Sequence, residues 1–356
     1  MTNARRHDAA AEDEQHVQTQ RALGAMLVPL FFVAAFAACI IGAYHKPHPN
    51  GIEVGVVGPP AQTAPLRARL AAAAGPAFAI SPVAPAGQAA RDVRDRDLNA
   101  AFVPTVNPRQ PATVIVAGAN GRIVAVAAET LARSVTTAQG TQLAVREVRP
   151  LARGDALGLG VFMFMIVCTI CGYIAATILE TAAPALWPLR RYAILAATAV
   201  LVATIAYLIG GLAFGTYTGS VGTILAFIGV GALYGFVVGI GTRLFQVLLG
   251  LPAIFVSLAI FVFLNIASLG ATYTAPVLAP FWHFLSHFWI GAAAVDAERS
   301  LLYFGGAGVG ADLLRLLAWA AVIVGLLALP VSRKLERRRE RADDARPVAT
   351  AVGAAV

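Results

Sequence analysis

Apolar and polar positions alternate with two different periods along this chain, and the change divides it into parts. Residues 1–22 are polar and carry Arg5, Arg6 and Arg21, and an unbroken apolar run follows from Leu23 to Ala43. A hydrocarbon core of about 30 Å takes about 20 helical residues, so this run predicts a membrane-spanning helix. It exceeds the apolar core of a signal peptide, and its polar leader is long, so we expect a retained anchor. From Tyr44 to Asp155 the pattern shortens to Val- and Ile-rich runs separated by helical stretches. Strands are expected at 52–58, 77–82, 100–104, 112–117 and 143–148, with helices at 64–74, 87–94 and 127–139. That order predicts an α/β domain with a partly parallel sheet.

After Ala156 long apolar runs return. One span is expected from Ala156 to Leu179, ending at Glu180, and a helical hairpin between Arg191 and Arg243 turns at Gly215–Ser220. Another span is expected from Leu244 to Ser268, and a last one from Leu313 to Pro330. The aromatic stretch near 276–306 predicts a re-entrant or interfacial segment, with Phe281, Trp282, Phe284 and Phe288 facing lipid. The expected fold is a membrane all-α bundle of six transmembrane helices, arranged one plus five, with an inserted extracytoplasmic α/β domain. Its parts are a cytoplasmic tail at 1–22, a first span at 23–43, the α/β domain at 44–155, a five-helix bundle at 156–331 and a basic cytoplasmic tail at 332–356.

Composition sharpens this picture. Of 27 Lys+Arg and 19 Asp+Glu in 356 residues, only nine charges lie between Ala156 and Val331. The net charge of +8 follows from basic connections and tails, so it does not argue for nucleic acid. Arg5, Arg6, Arg21, Arg190, Arg191, Arg243 and the cluster from Arg333 to Arg346 all fall on one side if both termini are cytoplasmic. The expected location is therefore the plasma membrane, multi-pass, and high Ala, Gly and Arg usage points to a bacterial source.

Few residues offer chemistry. Cys168 and Cys171 form a C-x-x-C inside an apolar helix, where a thiolate is poorly solvated, and we expect packing rather than redox work. His283 and His287 lie one helical turn apart without the Glu of a zinc-protease motif or a third ligand, unless His45 and His48 come close. No phosphate-binding loop and no hydrolytic set of residues occurs, so no enzyme activity, metal or cofactor is expected. Gly231, Gly235 and Gly239 make a stripe for close helix packing, against this chain or a second subunit. Asn265 is a polar amide inside a span, suited to an intramembrane contact. Arg315 is placed to pair with Asp312.

Two stretches carry a resemblance. In Glu147–Gly158 (EVRPLARGDALG), Val148, Pro150, Leu151, Asp155 and Gly158 match the join between external domain and second span in the type 2 ABC transporter permeases, within the phage infection protein (YhgE/Pip-like) branch. Glu147 stands where that branch has Asp, and Ala156 where it has Pro. Ala279–Gly306 is similar to the same family's external re-entrant segment. The resemblance implies a dimeric permease subunit that moves an amphipathic or lipid-like substrate outwards with a separate ATP-binding subunit. In that reading Glu180, Arg190 and Arg191 couple to the ATPase. The alternative expectation is a membrane-anchored receptor or scaffold, phage-receptor-like or accessory to a secretion system, that acts through the extracytoplasmic domain.

Overall fold

The computed structural model describes residues 2–105, 107, 110–250, 252–270 and 273–329. The expected basic tail at 332–356 lies outside the described residues. Helix α1 (Thr2–Tyr44) takes in residues 2–22 of the polar leader as well as the apolar run, so the expected tail is helical and continuous with the anchor. Its apolar part is largely exposed, as a helix facing lipid is, and it touches the bundle through Phe32 on Phe255 and Phe263 and through Phe36 on Phe263.

The α/β domain is built from β1 (Ile52–Val57), α2 (Pro60–Ala74), β2 (Phe78–Val83), α3 (Ala86–Asp95), β3 (Ala100–Val103), β4 (Ala112–Val116), α4 (Arg122–Ala138) and β5 (Leu143–Glu147). The strands form one sheet in the order β2-β1-β3-β4-β5, parallel except for the β3–β4 pair. Because side chains alternate along a strand, the sheet has two apolar faces. Ile52, Val54, Val56, Phe102, Val114 and Val116 pack beneath α2 and α4, while Val57, Ala101 and Ile115 pack beneath α3. Both faces are covered, as parallel strands require.

The chain then enters the helical bundle. It contains α5 (Gly160–Ala182), α6 (Pro188–Tyr207, continued as a π-helix to Ala213), α7 (Val221–Leu249), a helix Ala253–Ser268 with a π-helical middle (ends α8, Ala253–Ser257, and α9, Asn265–Ser268), α10 (Pro280–Ser286), α11 (Ile290–Tyr303) and α12 (Val309–Ala328). Five helices, namely α1, α5, α6 with its continuation, α7 and α12, are long and apolar enough to cross a membrane. The protein is a mostly helical, membrane-embedded chain with a small mixed sheet.

Two expectations are corrected here. The run Leu244–Ser268 is not one helix: α7 continues to Leu249, the chain turns at Gly250 with φ 70°, and a new helix starts at Ala253. A left-handed glycine followed by Pro252 ends a helix even where hydropathy is continuous. The new helix has 16 residues and is about 24 Å long at 1.5 Å per residue, shorter than the hydrocarbon core. The aromatic segment is also split. Phe281, Phe284 and Phe288 are exposed, but Trp282 is buried with Ala43, Ala267, Leu278 and Leu285, against Gly42 of α1. On a short helix, 281, 284 and 288 share one face while 282 and 285 share the other.

α11 is the least expected element. Nearly all of its first eleven residues are buried, and it packs against α5, α7 and α12 inside the bundle. Phe288 O accepts from Trp319 Nε1 at 2.8 Å, and Trp289 meets the Trp319 ring edge-on, so the α10–α11 turn reaches well down the length of α12 before the chain returns to the domain end at Phe304.

Candidate functional site

Three polar clusters are set into the apolar bundle: one at the end away from the α/β domain, one in the middle and one where domain and bundle meet. At the distal end, Glu180 on α5 takes short ion pairs from Arg191 on α6 and Arg243 on α7. Arg191 also donates to Ala183 O at 3.1 Å and Pro184 O at 2.7 Å, so one guanidinium both caps α5 and joins it to α6. The two arginines are buried and Glu180 is about one-third exposed. Beside them lies a cavity of roughly 170 Å³ lined by Pro188, Arg191, Tyr192, Arg243, Val247 and the end of α12. Arg190 points away and is exposed, flanked by exposed Trp187 and Leu189. The structure therefore joins Glu180 and Arg191, adds Arg243 and leaves Arg190 outside the cluster.

The middle cluster depends on close helix approach. A Cβ at Gly231 would collide with the Phe164 ring, one at Gly235 would sit 3.4 Å from Cys168 O, and one at Gly239 would sit 3.5 Å from Gly172 O. The glycine stripe thus packs on α5 of the same chain, with Ala199 and Leu195 of α6 alongside. Such proximity brings Thr169 Oγ1 to Tyr234 Oη, and Asn265 Nδ2 donates to the same hydroxyl. One tyrosine thereby connects α5, α7 and α9. Cys168 is buried in this layer and Cys171 is half-buried.

Glu298 lies near this layer, with a residue exposure of 0%. The Gly231 amide lies near its carboxyl, but among the described residues neither carboxyl oxygen has a partner at full hydrogen-bond geometry. An isolated ion in such a place costs several kcal/mol even after the protein relaxes. The sequence predicts only a re-entrant or interfacial segment near 276–306. The structure sets the α11 part of that segment inside the bundle, where Glu298 and its neighbour Arg299, which is 5% exposed, are buried. The signal was present in VDAERS, a charged motif between small residues, but whether such a motif faces water or protein depends on the path of α11.

At the junction, Arg96 stands at the end of α3 with φ 75°. It donates from Nε to Asn120 Oδ1 at 3.0 Å and from Nη1 to Ser300 Oγ at 2.8 Å, pairs with Asp296 at 3.4 Å and lies 5.2 Å from the centre of the Phe304 ring. A single side chain thus ties the α/β domain to α11. Asp155 accepts from the amides of Leu159 at 2.8 Å and Gly160 at 3.0 Å and so caps the approach to α5. Burial raises its carboxyl above the usual range, against the opposing pull of those amides and of Arg299. Glu147 accepts from the Gly118 amide, and an open pocket of roughly 300 Å³ between Arg122, Glu147 and Arg153 adjoins this seam.

The four histidines considered as metal ligands form two pairs, His45 with His48 (ring centres 5.5 Å apart) and His283 with His287 (4.8 Å). Among the described residues, no group of three His, Cys, Asp or Glu is placed to hold a metal. Asp312 pairs with Arg315 at 2.7 Å, one turn along α12. No protein family, curated protein or solved structure matches this chain.

Proposed function

We propose that this protein is the integral membrane permease subunit of an ABC-type exporter of the type 2 kind, which moves an amphipathic or lipid-like substrate outwards with a separate ATPase. In this reading Ala253–Ser268 completes six crossings, arranged one plus five. Both termini are cytoplasmic, the α/β domain is extracytoplasmic, and the working unit is a dimer in a bacterial plasma membrane. The observation that carries the proposal is the distal ion cluster. Glu180, Arg191 and Arg243 fasten the exposed α5–α6 turn to α7, the long central helix, so a push on that turn is delivered to the bundle core. Exposed Trp187, Leu189 and Arg190 give a partner an apolar and cationic surface to push against. The chain itself supplies no nucleotide site in this reading.

The test is reconstitution in nanodiscs with an ATP-binding subunit drawn from the same genome. The chain alone is expected to hydrolyse no ATP, and addition to the ATPase is expected to stimulate turnover. Arg190→Ala and Glu180→Gln should reduce that stimulation. Full stimulation in both variants, or none with the wild type, overturns the proposal. Absence of stimulation together with loss of captured partners on deleting residues 44–155 selects the receptor or scaffold instead.

A further inference from the structure

Glu298 has no use in the coupling scheme above, yet it occupies the best-shielded position of any carboxylate described. Each element packed around it withholds a cation. The Cys168 thiol of α5 and the Tyr217 hydroxyl of the α6–α7 connection lie within electrostatic reach of it, and that hydroxyl donates to Gly160 O at 2.9 Å. α7 presents the backbone of Gly231, and the Tyr234 hydroxyl one turn further on is already shared by Thr169 and Asn265. The charges of α12, Asp312 and Arg315, pair with each other, and Arg315 also donates to His287 O at 3.3 Å. On α11 itself, Asp296 is held by Arg96, and Arg299 lies with Asp155 and Tyr303 along a different side of the helix.

A carboxylate here would be an unpaired ion in a medium that solvates it poorly, whereas a carboxylic acid is tolerated. The same position filled by Gln or Leu would avoid the problem, so a carboxyl here calls for a role that needs its charge to change. The hairpin is bounded by glycine turns. Gly270 precedes it with φ 83°, and Gly305, Gly306 and Gly308 follow with φ between 62° and 83°, with open space where their side chains would be.

We propose that Glu298 is a proton-binding site whose occupancy holds the α10–α11 hairpin in the bundle. With the proton on its carboxyl, α11 stays docked between α5, α7 and α12. When the hairpin shifts towards the α/β domain, the carboxyl reaches water at the junction beside Asp155 and Tyr303, and the proton passes to that water. Return of the hairpin requires a proton to be taken up again. The inference goes beyond the permease reading and needs no ATPase, so either can fail while the other stands.

The experiment uses the full chain in nanodiscs, with Cys39→Ser and Cys171→Ser leaving Cys168 as the sole thiol. Infrared spectra across a pH titration report protonated carboxyl groups, and alkylation of Cys168 by N-ethylmaleimide reports opening of the layer beneath Glu298. The wild type is expected to show a carboxylic-acid C=O band at neutral pH that is absent from Glu298→Gln and disappears under alkaline conditions. The ratio of the wild-type to the Glu298→Gln alkylation rate should rise several-fold over the same range, opposite to the fall that a Glu298 carboxylate would cause merely by disfavouring the neighbouring thiolate. Glutamate carrying heavy carbon in its carboxyl group, incorporated in the wild type, shifts the band and keeps the test readable if the variant does not fold. A band shared by wild type and variant, no isotope shift, or a rate ratio that stays constant with pH overturns the proposal.

Discussion

Glu180 and Glu298 are both glutamates on apolar helices of one bundle, and their surroundings are opposite. Glu180 sits at a helix end, about one-third exposed, with two buried guanidiniums on it. Glu298 sits inside, 0% exposed, with the nearest arginine on its own helix turned elsewhere. The first arrangement is a rivet: opposite charges offset the loss of water and fix three helices together. The second is a vulnerability that persists only if packing forces it and function uses it. Charge within a membrane helix therefore carries no single meaning; its partners decide.

The largest test of this contrast is Glu180→Ala. It leaves Arg191 and Arg243 buried without their shared anion, and we expect a loss of about 3 kcal/mol, reduced from the full buried-pair value because Glu180 is partly exposed. Thermal unfolding in detergent should show it, with α6 loosening first in hydrogen exchange. A melt equal to wild type would mean the rivet carries no load.

Next comes the close approach that creates the middle layer. Gly231→Leu drives a side chain into the Phe164 ring, and overpacking of this kind costs about 1–3 kcal/mol. The same variant should expose Cys168 to alkylation, because α5 and α7 separate where the thiol is buried. Unchanged Cys168 reactivity would break the link between the glycine stripe and the polar layer. The smallest effect is expected for Tyr234→Phe, which removes the hydroxyl shared by Thr169 and Asn265. Hydrogen bonds between membrane helices average about 0.6 kcal/mol, so a shift near the detection limit is the expected outcome. A loss comparable to that of Glu180→Ala would show that the layer works as a cooperative network.

The α/β domain was legible almost element by element, because strand alternation and Gly/Pro punctuation are local signals. The strand expected at 52–58 is β1 (Ile52–Val57), and the helix expected at 87–94 is α3 (Ala86–Asp95). The bundle was legible in its long apolar runs and misleading where runs abut. Hydropathy does not register the turn between Leu249 and Ala253, and it gives α11 only as part of a re-entrant or interfacial segment, without saying which of its side chains face protein. Arg96 gave no signal at all in the sequence, since nothing local distinguishes an arginine at a helix end that reaches across to α11 from one that faces water.

The sequence by itself determined that apolar helices bury themselves in lipid and that a small α/β domain divides the first from the rest, because burial of apolar surface and backbone periodicity are properties of short segments. Only the tertiary structure decided that Glu180 shares two arginines while Glu298 has none, that the glycine stripe meets α5, and that Trp282 faces inward. Those outcomes depend on which helices lie side by side, and residues as far apart as Arg96 and Ser300 become neighbours only when the whole chain has packed.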